Sequence, residues 1–178
     1  MPRSLLKSAV LGGLVVFIWS LISWMVLPIH QHCFHQFTNE ERVASVIREH
    51  APGKDLYEVV TMPEKCGCSK NEGFYMFAAV VPKGLGQEMT RPLVCAFVIQ
   101  VIGAFLVSWM LIKTKGLSFR HKVLFVTLFG LGIGVLGSLS AWNWANFSAC
   151  YVLTQMFDLV VGWCLAGLVI AKTLKGAK

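Results

Sequence analysis

The chain has 178 residues, 56% of them hydrophobic and 14% charged, with a formal net charge of +7. A soluble domain of average composition carries about 25% charged residues, so the sequence does not read as an ordinary water-soluble globule. Nor does the positive charge read as a nucleic-acid surface, because the cations lie against the ends of apolar blocks, where a lipid surface is the natural partner.

Four such blocks follow in chain order: Ser8–Leu27, Pro92–Ile112, about Val123 to Trp142, and about Ala149 to Ala171. Each has about 20 residues, enough to cross a hydrocarbon layer of roughly 30 Å as a helix. The first block is too long for a cleaved leader, and no small-x-small site follows it, so it reads as a retained anchor. Arg3, Lys7, Lys113, Lys115, Arg120, Lys122, Lys172, Lys175 and Lys178 all fall on one side of the resulting topology, with no acidic residue among them. Residues 29–91, between the first two blocks, carry near-equal numbers of cations and anions. The asymmetry predicts cytoplasmic termini and an extracytoplasmic segment 29–91.

That outer segment has the signals of a small fold. Thr38, with Glu41 three residues on, predicts a capping box. Val43, Val46 and Ile47 then form an apolar stripe, and Ala51-Pro52-Gly53 stops the helix. Residues 55–61 and 73–81 are β-branched and aromatic, which predicts a hairpin. The fold class read here is an all-α membrane protein, a four-transmembrane-helix bundle with a small α+β extracytoplasmic cap. Its three parts are 1–28, the cap at 29–91, and 92–178.

The cap and its surroundings concentrate thiols and imidazoles. Cys33, Cys66, Cys68 and Cys150 face an oxidising compartment in this topology, where paired cysteines become disulfides. Bonding within Cys66-Gly67-Cys68 is strained, so the expected partners of Cys66 or Cys68 are Cys33 or Cys150. The competing reading is a copper or zinc site built from His30, His32, Cys33, His35, Cys66 and Cys68, with His50 also in the segment; the ligand types suit both metals. A third is that the thiols stay unpaired. The histidines by themselves read as a polar linker leaving the first span.

Asp158 is the one acidic residue outside 40–88, and it falls inside the fourth block. An ionised carboxylate there must face other helices and find a hydrogen-bond partner. Counting residues from the outer ends places Ser20, Gln100 and Ser138 at its depth, which predicts an intramembrane polar layer of Ser20, Gln100, Ser138 and Asp158. Interhelical hydrogen bonding explains such a layer better than a proton or ion path does, because no partner cation is visible. Gly130, Gly134, Ser138 and Ala141 recur along one side of the third block and predict close helix packing. Asn146-Phe147-Ser148 matches a glycosylation sequon but lies against a span end.

The stretches "FIWSLISWMVLP", "NEERVASVIREHAP", "AVVPKGLG", "WNWANF" and "DLVVGWCLAGLVIAK" together resemble an uncharacterised family of small four-span bacterial inner-membrane proteins. The resemblance covers most of the chain. It implies a bacterial inner-membrane setting and the four-span topology, and it brings no activity. With no nucleophile–base pair or phosphate loop in view, the expected function is non-enzymatic: envelope assembly or partner binding through the cap. The partners expected are the bilayer, another membrane or periplasmic protein, and a second copy of the chain. The alternatives are the copper or zinc site above, or a small transporter or thiol oxidoreductase centred on Asp158 or the outer thiols.

Overall fold

The computed structural model describes residues 3–61, 73–84, 86, 89–114 and 116–174. The chain forms two compact units, one of Met1–Phe34 with Met89–Lys178 and one of His35–Glu88. The first is helical. It contains α1 (Arg3–Met25), a short 3-10 turn (Gln31–Cys33), α3 (Thr90–Lys113), α4 (Phe119–Ile133), α5 (Leu139–Ala145) and α6 (Ala149–Thr173). The second contains α2 (Glu40–His50) and the strands β1 (Asp55–Thr61) and β2 (Phe74–Val80). Four helical stretches of 23 to 27 residues are long and apolar enough to cross a membrane: α1, α3, α4 continuing through α5, and α6. Sequence reading began the cap at residue 29; residues 29–34 group with the helices as a compact unit, for a reason given below.

In the helical unit α1 lies between α3 and α6, and α4 packs on the other side of α6. Neighbours run antiparallel. Phe17 of α1 meets Phe97 of α3 edge-on at 5.6 Å, while Gly12 lies beside Ala104 and Ile170. Glycines set the closest approaches. A Cβ on Gly13 would stand 2.6 Å from the Val101 Cα, so α1 and α3 touch backbone to backbone. Val107, Leu111, Val126, Trp163, Ala166 and Ile170 are buried where the helices meet. Their burial ties α3, α4 and α6 to one another at close range.

Gly130 and Gly134 both face α6, as the spacing of small residues predicted. The row does not continue unchanged, because Gly134–Ser138 form a π-helical turn. The inserted residue shifts the phase of the helix from there on. At Gly130 an added Cβ would stand 2.6 Å from the Trp163 Cβ and 2.8 Å from the Leu159 carbonyl oxygen, whereas at Gly132 it would meet nothing within 4 Å. Gly130→Ala is therefore expected to lower stability by about 1–3 kcal/mol, the usual cost of overpacking, and Gly132→Ala to change it by less than about 0.5 kcal/mol. Thermal unfolding of both variants in one detergent checks the pair.

The chain enters α6 through Asn146, whose backbone is left-handed at φ 55°, a conformation asparagine tolerates better than most residues. Ser148 then caps α6 by accepting a hydrogen bond from the Tyr151 backbone N–H at 3.2 Å.

In the His35–Glu88 unit the N-cap of α2 is Asn39, not Thr38. Its side chain accepts from the Arg42 backbone N–H at 2.9 Å, so the cap lies one residue later than the Thr38–Glu41 box would place it. Either residue type can serve, and an asparagine oxygen is at least as good a cap as a threonine hydroxyl. The strands pair antiparallel from Asp55 opposite Val80 to Thr61 opposite Phe74. No residue of α2 is buried, and neither strand contains a buried residue. A groove of about 540 Å³ lies between α2 and β2, lined by Phe37, Val43, Val46, Ile47, Phe74 and Met76, with Arg42 among its polar edges.

Candidate functional site

The polar centre of the helical unit is built from three residues on three local structures: Ser23 near the end of α1, His30 in the turn that follows, and Asp158 in the middle of α6. Pro28 ends the helix, since a proline ring cannot continue it and offers no N–H. The Gln31 N–H donates to the Pro28 carbonyl at 3.2 Å and the Cys33 N–H to the His30 carbonyl at 3.0 Å. This tight turn brings His30 back to the level of Ser23. Its ring stacks on Trp24, with centroids 4.0 Å apart and planes 14° from parallel.

Asp158 receives both neighbours. The Ser23 hydroxyl donates to Oδ1 at 2.6 Å, and His30 Nε2 lies 2.8 Å from Oδ2. Ser23 Oγ and His30 Nε2 are themselves 3.1 Å apart. The side chains of His30 and Asp158 are only 4% and 12% exposed. With its hydrogen on Nε2, the imidazole serves the carboxylate and leaves Nδ1 as the other nitrogen. Nδ1 is buried without a hydrogen-bond partner among the described residues, as are Trp19 Nε1 and Ser108 Oγ.

This is not the arrangement of a nucleophilic triad. There, the carboxylate holds one imidazole nitrogen while the other takes the proton of the serine. Here the hydroxyl and the carboxylate converge on the same nitrogen, and the hydroxyl hydrogen is directed at the carboxylate. The cluster clamps α1, its following turn and α6 together.

A covalent bond reinforces the clamp. Cys33 and Cys150 lie at disulfide distance, with Sγ atoms 2.04 Å apart across 117 residues of chain. Thr154, one turn further along α6, places its hydroxyl 3.6 Å from Cys33 Sγ; as the oxidised sulfur has no hydrogen, the hydroxyl is the donor. Phe34 and Phe147 both meet Tyr151 edge-on, at 5.7 and 5.5 Å. Residues 29–34 are thus bound to the helices from both sides.

These contacts revise the sequence reading at several points. The disulfide joins Cys33 to Cys150 directly, in place of a bond from either to Cys66 or Cys68, which lie outside the described residues. Of the proposed metal set, Cys66 and Cys68 lie outside the described residues, and the other four do not converge on one point. Cys33 is oxidised, His30 is engaged by Asp158, and His32 and His35 are exposed. Among the described residues no group of three His, Cys, Asp or Glu side chains stands within reach of one ion. The polar layer is also different. Ser20 donates to the Val16 carbonyl of its own helix at 2.9 Å. Gln100 and Ser138 are half-buried but are not partners of Asp158.

The physical reason is side-chain direction. Helical side chains lean toward the N-terminus of their helix. Because α1 and α6 are antiparallel, Asp158 and Ser23 lean toward each other, and a count of backbone depth misses a pair that their side chains close. The partner that Asp158 lacked on sequence reading is His30, hidden because it lies beyond the end of its helix.

No protein-family model matches the chain, and neither a curated protein nor a solved structure does.

Proposed function

We propose that this chain is a multi-pass protein of the bacterial inner membrane, with both termini in the cytoplasm, that binds a partner protein through an extracytoplasmic cap. The resemblance to small four-span bacterial proteins and the placement of nine cations on one side of the spans support that setting. A disulfide at the opposite end agrees with it, since such bonds persist in oxidising compartments.

The observation that carries the partner-binding reading is the state of the cap. Its helix and hairpin contain no buried residue among those described, yet they line an apolar groove of about 540 Å³. On the opposite face of the hairpin, Leu56, Val60, Tyr75 and Phe77 are exposed as well. The groove suits an apolar helical segment of a partner, seated as helices are seated in hydrophobic grooves elsewhere. The clamp at Ser23, His30 and Asp158 serves this role by fixing the helices from which the cap is tethered.

A photo-crosslinker placed at Val43 or Met76 in intact cells tests the proposal. One defined adduct is expected from these positions and not from Glu49, and it is expected to vanish with Val46→Asp. Adducts that are equal at Glu49, or unchanged by Val46→Asp, would refute it. A second reading, thiol–disulfide exchange at Cys33–Cys150, has one observation in its favour. Cys150 is exposed and lies in the first turn of α6, where the helix favours a leaving thiolate. Reduction of this bond by a dithiol protein in the folded state would support exchange, and resistance up to unfolding would exclude it.

A further inference from the structure

At the end of the helical unit opposite the disulfide, the start of α1 and the end of α6 border a groove of about 730 Å³. Its walls combine two kinds of side chain. Arg3, Lys7 and Lys172 supply three cations, and Leu11, Leu168 and Val169 supply an apolar floor. The three cations are exposed. Among the described residues none of the three is in an ion pair, and Asp158, the one acidic residue outside 40–88, is held by His30 and Ser23. The helix ends do not supply the charge. The positive end of α1 and the negative end of α6 meet here and offset each other, so the side chains decide the sign.

We infer that this groove is a binding site for an anionic diacyl phospholipid of the cytoplasmic leaflet. The inference rests on the membrane placement proposed above, and it adds a ligand that the placement does not require. The matching is chemical. A phosphate headgroup answers the three cations, and acyl chains lie on Leu11 and Leu168 as they descend along α1 and α6. Basic pockets between helices at a cytoplasmic membrane surface hold such headgroups. A free phosphate ion would satisfy the cations and leave the apolar floor unused. A zwitterionic lipid would use the floor and carry a cation of its own into the cluster.

The site also has a structural consequence for the protein. Lys7 and Lys172 come from the first and last of the four long helices, so a lipid held by both ties α1 to α6 at this end. At the other end His30 and Cys150 do the same.

Native mass spectrometry of the full chain, released from detergent with added phosphatidylglycerol or phosphatidylethanolamine, tests the site. Preferential retention of phosphatidylglycerol is expected, and inorganic phosphate is not expected to compete for it. The Lys7→Gln/Lys172→Gln variant is expected to lose that preference by about thirtyfold, as each cation near the surface contributes about fivefold. The Lys113→Gln/Arg120→Gln variant removes the same charge from outside the groove and is expected to keep the preference. Equal retention of the two lipids, competition by phosphate, or equal losses in both variants would overturn the assignment. Release of the protein from membranes by alkaline carbonate would overturn the membrane placement itself, which separates that failure from failure of the site.

Discussion

Replacing His30 with alanine is expected to lower the unfolding free energy by about 3–5 kcal/mol, the cost of leaving one member of a buried pair without its partner. Asp158 is 12% exposed on its side chain, so water cannot replace the imidazole without opening the helices. The Ser23 hydroxyl remains, 2.6 Å from Oδ1, but Oδ2 has nothing to accept from. Asp158→Ala should cost less, about 1–3 kcal/mol, because it strands an imidazole and a hydroxyl instead of a carboxylate. The double variant should lose clearly less than the two single losses combined, since removing both members removes the stranded group as well. Equilibrium unfolding of the four proteins in one mild detergent gives the coupling. Additive losses would mean that the two side chains stabilise the fold independently and that the clamp described here does not exist.

The second large effect is expected at the disulfide. Cys33→Ser or Cys150→Ser should each cost about 2–4 kcal/mol, and the two changes together no more than either alone. The chain between the cysteines spans 117 residues, and free closure of so long a loop would put the loss at or above the top of that range. In the membrane placement proposed, spans that stay threaded through the bilayer keep the loop short in the unfolded state, which moves the expectation toward the lower end. The loss should also be local. Cys33 lies three residues after His30, and the turn between them is held by few backbone hydrogen bonds. Amide exchange is therefore expected to quicken at residues 28–34 on reduction, and to stay unchanged in α3 and α4. Uniform quickening along the chain would show that the bond holds the whole fold instead of the turn.

Much of the architecture could be read from residue patterns. The four apolar blocks became the four long helices, as the length of runs such as Val10–Met25 and Val94–Ile112 suggested. The hairpin emerged at Asp55–Thr61 and Phe74–Val80 for the reason its β-branched and aromatic residues suggested. The site was harder. Asp158 stood out as a lone acid in an apolar run, and Cys33 and Cys150 were both visible as disulfide candidates. Their true partners depended on direction and on a turn. Ser23 meets Asp158 only because antiparallel helices tilt their side chains toward each other. His30 meets it only because Pro28 folds the chain back on α1. Neither effect has a periodicity, and the histidine's neighbours in sequence, His32 and His35, drew attention toward a metal. The π turn at Gly134–Ser138 had no signal either, since a single inserted residue leaves the apolar run intact.

The placement of α1 between α3 and α6 has a consequence for biogenesis. α1 and α6 are immediate neighbours, so the contact between them waits until translation has passed Thr173. In the orientation proposed, Cys33 is exported alongside Cys66 and Cys68 well before Cys150 exists. A nascent chain thus passes through an interval in which wrong bonds can form, and reaching the mature pairing then requires an isomerase. Cells lacking periplasmic isomerase activity should accumulate forms linked through Cys66 or Cys68, visible on non-reducing electrophoresis of the newly made chain.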